Sequence, residues 1–205
     1  MRIIAWNCRG LARPAAKRML QELLSSHKPD IVFMCEVKTA HTDKLSSLLR
    51  ISNMPNFTFA PVFNKGALPA IPTLKPFFWQ CFHDIYSSFD GPWLAMEDFN
   101  EILSQNEERE GKHFASAFRN TLYDEFENCN LIDLGFTGNN FTWNNRRPGL
   151  ANIQSHLDRG VANTDWCLLF PKTIITYLPA IASDHCSIFL DNHPNTANQP
   201  RPFLF

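Results

Sequence analysis

The chain has 205 residues, 44% of them hydrophobic, with 18 Phe and 5 Trp, which is enough apolar volume for the core of one domain. Its formal net charge of -1 excludes the broad positive field of a strongly basic nucleic-acid binder, so any DNA contact must be local. The six cysteines (Cys8, Cys35, Cys81, Cys129, Cys167 and Cys186) contain no C-x-x-C pair, which argues against a zinc site and a disulfide framework and for reduced thiols in an intracellular setting.

Ile3-Ile4-Ala5-Trp6 reads as a buried strand that ends at Asn7, where Asn7-Cys8-Arg9-Gly10 supplies turn-forming residues. This apolar run is too short for a signal peptide, and nowhere do about 18 apolar residues follow one another, so no membrane partner is expected. From Pro14 a helix is expected, with Ala16, Leu20, Leu23 and Leu24 on one face and Lys17, Arg18, Gln21 and Glu22 on the other. Pro29 and Asp30 stop it, and Ile31 to Cys35 is a strand-length apolar run that ends in Glu36. A further helix is expected at 42–49, then an irregular, proline-rich stretch at 53–76.

Phe77 to Phe89 reads as a helix, and Trp93 to Met96 as a strand that runs into Glu97-Asp98-Phe99-Asn100. Phe114, Phe118, Leu122 and Phe126 recur in steps of four, the mark of a helix packed on a core rather than a base-stacking platform. Phe136 to Trp143, centred on Gly138-Asn139-Asn140, is expected to be a hairpin of two aromatic strands. A basic loop with Arg146 and Arg147 follows, then Ser155-His156-Leu157-Asp158-Arg159, and Ser183-Asp184-His185 before a strand at Ser187 to Leu190. Residues 1–190 form the expected domain and 191–205 a disordered, linker-like tail.

Any one polar strand end is ordinary; their recurrence is not. Equivalent strand ends of a sheet gather at one rim, where Asn7, Glu36, Asp98, Asn100, Asp158, Asp184 and His185 can meet. Carboxylates crowded there repel one another unless a cation lies among them, and oxygen donors without thiolate favour a hard ion, Mg2+ or Mn2+. Such an ion activates phosphodiesters, and an imidazole beside it stabilises the charge that builds on phosphorus oxygens. Cys81 and His83 form a weaker pattern: no second pair stands at zinc spacing, so a helix surface is the expected setting.

In this order, Trp6-Asn7-Cys8-Arg9-Gly10, Glu36-Val37-Lys38-Thr39, Asp98-Phe99-Asn100-Glu101-Ile102-Leu103, Leu134 to Trp143, Leu157-Asp158-Arg159 and Ser183-Asp184-His185 resemble the endonuclease/exonuclease/phosphatase (DNase I-like) superfamily. Within it they look most like the endonuclease domain of plant LINE-type (non-LTR) retrotransposons, in a shortened copy. The resemblance implies an α/β fold, a four-layered sandwich of two mostly antiparallel sheets flanked by helices, with central strands missing. It also implies a metal-dependent phosphodiesterase that nicks one DNA strand and leaves a 3′-hydroxyl. Carried over by motif, Asn7, Glu36 and Asp184 hold the metal, Asp98 orients or deprotonates water, Asn100 binds the scissile phosphate, and Asp158 orients His185. Arg146, Arg147 and Arg159 are candidates for DNA phosphates. No small-molecule cofactor is implied; the expected partner is DNA, the protein a nuclear monomer, once joined to a reverse transcriptase beyond Phe205.

The pattern has three departures. No equivalent of the family's phosphate-contacting Tyr is found, Glu97 stands where Gly is usual, and His156 where Arg is common. Two other readings therefore stay open: an inactive remnant with weak DNA binding, and a small-substrate phosphatase of the same superfamily.

Overall fold

The computed structural model describes residues 1–38, 56, 58, 75–109 and 121–194. The helix expected at 42–49, nearly all of 53–76 and the tail from 195 onward lie outside the described residues, as do Phe114 and Phe118. In chain order the described elements are β1 (Arg2–Asn7), α1 (Pro14–His27), β2 (Ile31–Cys35), α2 (Lys75–Ser88), β3 (Leu94–Asp98), β4 (Glu108–Arg109), α3 (Thr121–Asn128) and β5 (Leu131–Asp133). They continue with β6 (Thr137–Gly138), β7 (Trp143–Asn144), β8 (Gln154–Ser155), β9 (Asp158–Asn163), α4 (Thr164–Leu169), β10 (Ile174–Leu178) and β11 (Ser187–Asp191).

One sheet has the order β2-β1-β11-β10-β6, a second the order β3-β9-β5, and a small third the order β4-β8-β7. The β1–β2 and β10–β6 pairs are parallel and the others antiparallel. Side-chain alternation between two covered faces explains why β1 is apolar from Ile3 to Trp6. Ile3 and Ala5 face the second sheet with Ile175, Tyr177, Ile188, Leu94 and Met96, whereas Ile4 and Trp6 face α1 with Leu20, Leu23 and Leu24. On the far side, α2 and α3 cover the second sheet through Trp79, Phe82, Phe99, Leu122 and Phe126. The expected four-layer α/β sandwich is therefore present.

The helix that starts at Pro14 ends where Lys28 turns left-handed (φ 46°) and its N–H donates to Leu24 O. The strand at the other end of the chain runs one residue past the expected boundary. Asp191 pairs with Arg2, and the buried Asn192 donates its N–H to Met1 O.

The expected hairpin at 136–143 is corrected. β6 joins the first sheet beside β10, and β7 joins the third beside β8, so the two aromatic segments never pair. Gly138, at φ 107°, makes the crossing. A Cβ there would lie 2.7 Å from Tyr177 O, closer than any side chain tolerates. Asn139 then turns the chain by accepting from Phe141 N.

Beneath the sandwich, His156 sits where the third sheet meets the other two. It is 3% exposed, its Nε2 is 2.9 Å from Tyr177 Oη, and its ring meets the Phe136 ring edge to face. Tyr177 O–H donates to Asp158 O, so His156 donates Nε2–H to the phenol oxygen. His156 therefore supports Asp158 from below, through the Tyr177 hydroxyl.

Two expectations follow. Gly138→Ala forces a positive φ and a backbone clash, and the loss should reach about 2 kcal/mol in urea denaturation; an unchanged midpoint would refute the steric account. Burial first, and the Arg159 charge next, push His156 down to about 4. The unfolded chain takes up this proton near pH 6.5, so the folded state loses stability as pH falls from about 6.5 to 4, by roughly 3 kcal/mol in total. His156→Gln should therefore flatten the fall in denaturation midpoint between pH 7 and 5 relative to the parent.

Candidate active site

Strand ends from both sheets meet at one rim. β1 and β2 run in parallel with Asn7 level with Cys35, so Asn7 and Glu36 leave the first sheet together. β3 and β9 are antiparallel with Asp98 directly opposite Asp158. His185 stands two residues before Ser187, the first residue of β11, which is level with Trp6. Two sharp left-handed residues close these corners, Glu36 at φ 49° and Asn100 at φ 54°.

His185 lies between two acids. Its Nδ1 is 3.0 Å from Asp158 Oδ2 and its Nε2 is 3.5 Å from Asp98 Oδ2, and all three side chains are buried. Burial raises the Asp98 carboxyl to about 6, Asp158 adds to the rise, and His185 and the Asn100 N–H offset it. Burial disfavours the imidazolium of His185, but the Asp158 hydrogen bond and the surrounding acids outweigh it and hold His185 above the ordinary histidine range.

Asn7 links this group to Glu36, its Nδ2 donating to Asp98 Oδ2 (3.2 Å) and Glu36 Oε1 (3.3 Å). Burial opposes ionisation of Glu36, yet the Lys38 ammonium at 2.6 Å, the Arg9 charge and the Asn7 amide outweigh it and keep the carboxyl below its usual range. Asp184 completes the rim, accepting from Trp143 Nε1–H at 3.2 Å.

Several supporting residues escaped the sequence reading although they stand inside its motifs. Thr142 Oγ1 accepts from both Leu157 N and Asp158 N, which fixes the start of β9. Ser183 O–H donates to Asn7 O at 2.6 Å while its oxygen accepts from His185 N, tying β1 to the Ser-Asp-His corner. Phe-Thr-Trp and Ser-Asp-His are the signals that contained them.

Asn100 folds back on its own turn: its N–H donates to Asp98 Oδ1 and its amide to Asp98 O. The structure places the three arginines differently. Arg159 is 1% exposed, bonded to Asp133 Oδ2 at 2.8 Å and to Glu107 Oε2, so its assignment to DNA phosphates is corrected: charge compensation holds it inside. Arg146 is exposed, but its guanidinium donates to Ala180 O and Ser183 O, which braces the loop before Asp184. Arg147 is exposed beside it.

Of the three tyrosines, Tyr86 packs on Trp93, Tyr123 is exposed on α3, and Tyr177 bonds His156, so none stands at the rim. Glu97 faces Cys35 Sγ at 3.8 Å rather than His185, and burial, with Asp98 second, raises its carboxyl to about 7. Cys8 and Cys186 point into packing as alternation requires. His83, on α2, bonds Glu125 and Cys129 and joins α2 to α3.

The residues fit a divalent ion. Asn7 Oδ1 is buried and lacks any hydrogen-bond partner, an acceptor held toward an absent donor or cation. Asp98, Asp158 and His185 also bring ligand atoms within 4.8 Å of one another. That trio is bridged internally by the imidazole, and the oxygen set of Asn7, Glu36 and Asp184 is the second group that could hold a hard cation.

A search among curated proteins returns no match. Among solved structures, a 3′-5′ exonuclease from Neisseria meningitidis is similar with a TM-score of 0.69 at 13% identity, covering 93% of this chain and 99% of that one. A profile of the Endonuclease/Exonuclease/phosphatase family matches residues 4–185, from the second buried position of β1 to the histidine that Asp158 holds. By that match over most of its length, the chain belongs to the Endonuclease/Exonuclease/phosphatase family.

Proposed function

We propose that the chain is a divalent-metal-dependent phosphodiesterase that nicks one strand of DNA and leaves a 3′-hydroxyl, derived from a plant LINE-type retrotransposon. The observation that carries this reading is His185 buried between Asp158 and Asp98, one Asn7 amide away from Glu36. The family match supports phosphoester chemistry, and the exonuclease named among its structural relatives favours a polynucleotide substrate. The retroelement origin rests on the Phe-Thr-Gly-Asn-Asn-Phe-Thr-Trp segment and its neighbours. The domain is proposed as a monomer that spans 1–190 and is closed by Asp191 and Asn192 on the first sheet, working in the nucleus. Among the described residues, no helix is long and apolar enough to cross a membrane.

In this reading Asp98 receives the proton of the attacking water. Its Oδ1 is held by the Asn100 N–H, and a carboxyl raised to about 6 is both ionised near neutral pH and basic enough to accept. The water oxygen bonds to phosphorus, the P–O3′ bond breaks, and the departing oxygen takes a proton from solvent water to become the 3′-hydroxyl. Asp158 engages Nδ1 of His185 and so leaves Nε2 to face the charge that grows on the phosphoryl oxygens. Asn100 lies in the same turn for the scissile phosphate. Mg2+ or Mn2+ held by Asn7, Glu36 and Asp184 would polarise a phosphoryl oxygen and neutralise part of its charge.

One observation favours a second reading, a remnant that binds DNA weakly without cutting it. Ile31 and Phe33 of β2 are 37% and 54% exposed, and a cleft of about 370 Å³ lies between β2 and β3, lined by Phe33, Cys35, Phe78, Leu94, Met96 and Glu97. Edge surface of this kind is what the shortened copy expected from the sequence would leave uncovered.

Supercoiled plasmid separates the two readings. The parent should nick it with Mg2+ or Mn2+ and not with EDTA, and Glu36→Ala or His185→Ala should each lower the rate by about a hundredfold or more. A well-folded parent that leaves plasmid intact at every metal concentration selects the remnant. Cleavage that survives EDTA or both substitutions refutes the assigned site.

A further inference from the structure

Arg9 lies at the centre of the rim, in a position that neither the motif assignments nor the mechanism uses. Its backbone is left-handed (φ 47°), an uncommon conformation for a long side chain, and it turns the guanidinium back over the acids. Nε is 3.3 Å from Asp184 Oδ1 and 3.6 Å from Glu36 Oε1, and one terminal nitrogen is 3.2 Å from His185 Nε2. The same cation therefore touches two of the three proposed metal ligands and the imidazole nitrogen that is to face the phosphate.

The contacts are electrostatic more than directional. Nε is shielded from solvent but makes no hydrogen bond, although two carboxylate oxygens lie within ion-pair range. A guanidinium that had settled as a permanent structural partner would align its fork with a carboxylate, as Arg159 does with Asp133 and Glu107. The Arg9 side chain is also 36% exposed, so it has a path outward, whereas Arg159 at 2% has none.

Resting on the metal-dependent reading above, we propose that Arg9 is a resident counter-cation: it neutralises Glu36 and Asp184 while the metal is absent, competes with the divalent ion for them, and on displacement swings to the substrate phosphate. A positive charge this close to the ligands must weaken metal binding, because both cations are drawn to the same oxygens and repel each other across a few ångströms of partly desolvated space. Displacement also frees His185 Nε2. While Arg9 lies 3.2 Å from that nitrogen, its guanidinium blocks the approach of a phosphate oxygen to it. Metal arrival thus uncovers the imidazole and makes a phosphate-seeking cation available at the same moment.

Mn2+ titration without DNA, by calorimetry or paramagnetic resonance, tests this on the parent, Arg9→Gln and Arg9→Lys. The neutral variant should bind Mn2+ about tenfold more tightly than the parent, and the charge-keeping variant should stay close to it. Because removing one of the two cations beside the acid cluster, with Lys38 left on Glu36, can destabilise the metal-free fold, thermal melts in EDTA and in Mn2+ serve as the second readout. Arg9→Gln should melt lower than the parent in EDTA and gain the larger upward shift with Mn2+. Equal affinities together with equal shifts overturn the counter-cation role while leaving the metal centre standing. Failure of the parent and both variants to bind Mn2+ overturns both.

Discussion

The structure turns on one electrostatic constraint: Asp98 and Asp158 are directly opposite each other on adjacent antiparallel strands, both buried. Like charges in such a pair destabilise a sheet, and burial raises the cost. His185 enters from the other sheet and contacts both, so the same side chain that relieves the repulsion also holds the two sheets together at the rim. Asn7 spreads the compensation further by donating to Asp98 and Glu36 with one amide.

That arrangement is possible because the two sheets are clamped over most of their length by apolar contacts with alternating faces. Ile3, Ala5 and Ile188 interdigitate with Leu94 and Met96, while α1 on one side and α2 and α3 on the other remove the outer faces from water. Burial of this kind is non-directional and supplies most of the favourable free energy. It leaves the rim free to carry strained and charged groups that contribute little to stability, such as the left-handed Glu36, Asn100 and Arg9. The polar layer beneath, buried Tyr177, His156 and Arg159 with the half-buried Asp133 and Glu107, fixes where β9 begins and so where Asp158 points.

The charge balance of the rim depends on residues from distant parts of the chain. Arg9 and Lys38 bring positive charge to Glu36, and Arg9 also reaches Asp184. A net charge of -1 for the whole chain therefore conceals a site in which acids, two cations and one imidazole are held within a few ångströms. Local placement, not the overall sum, decides whether a cation or a phosphate is welcome there.

The sequence by itself determined the layers and the rim. Continuous apolar runs such as Ile3 to Trp6 are buried on both faces, and strands of that kind end in polar residues where the sheet meets water, so Asn7, Glu36, Asp98 and His185 were legible as a group. Periodicity likewise gave α1 and α2, whose bounds differ from the expected ones by no more than a turn. Tertiary structure alone decided the rest. β9 went unread because Arg159 and Gly160 interrupt its apolar run, and their burial depends on ion pairs and on Ile175 filling the space above a glycine. The apparent hairpin became a crossing because strand pairing is a long-range choice that a turn residue does not settle. Arg159 and Arg9 have the same side chain, and local sequence does not tell one from the other. Which carboxylates fold against each guanidinium makes Arg159 an interior brace and puts Arg9 over the acids of the site.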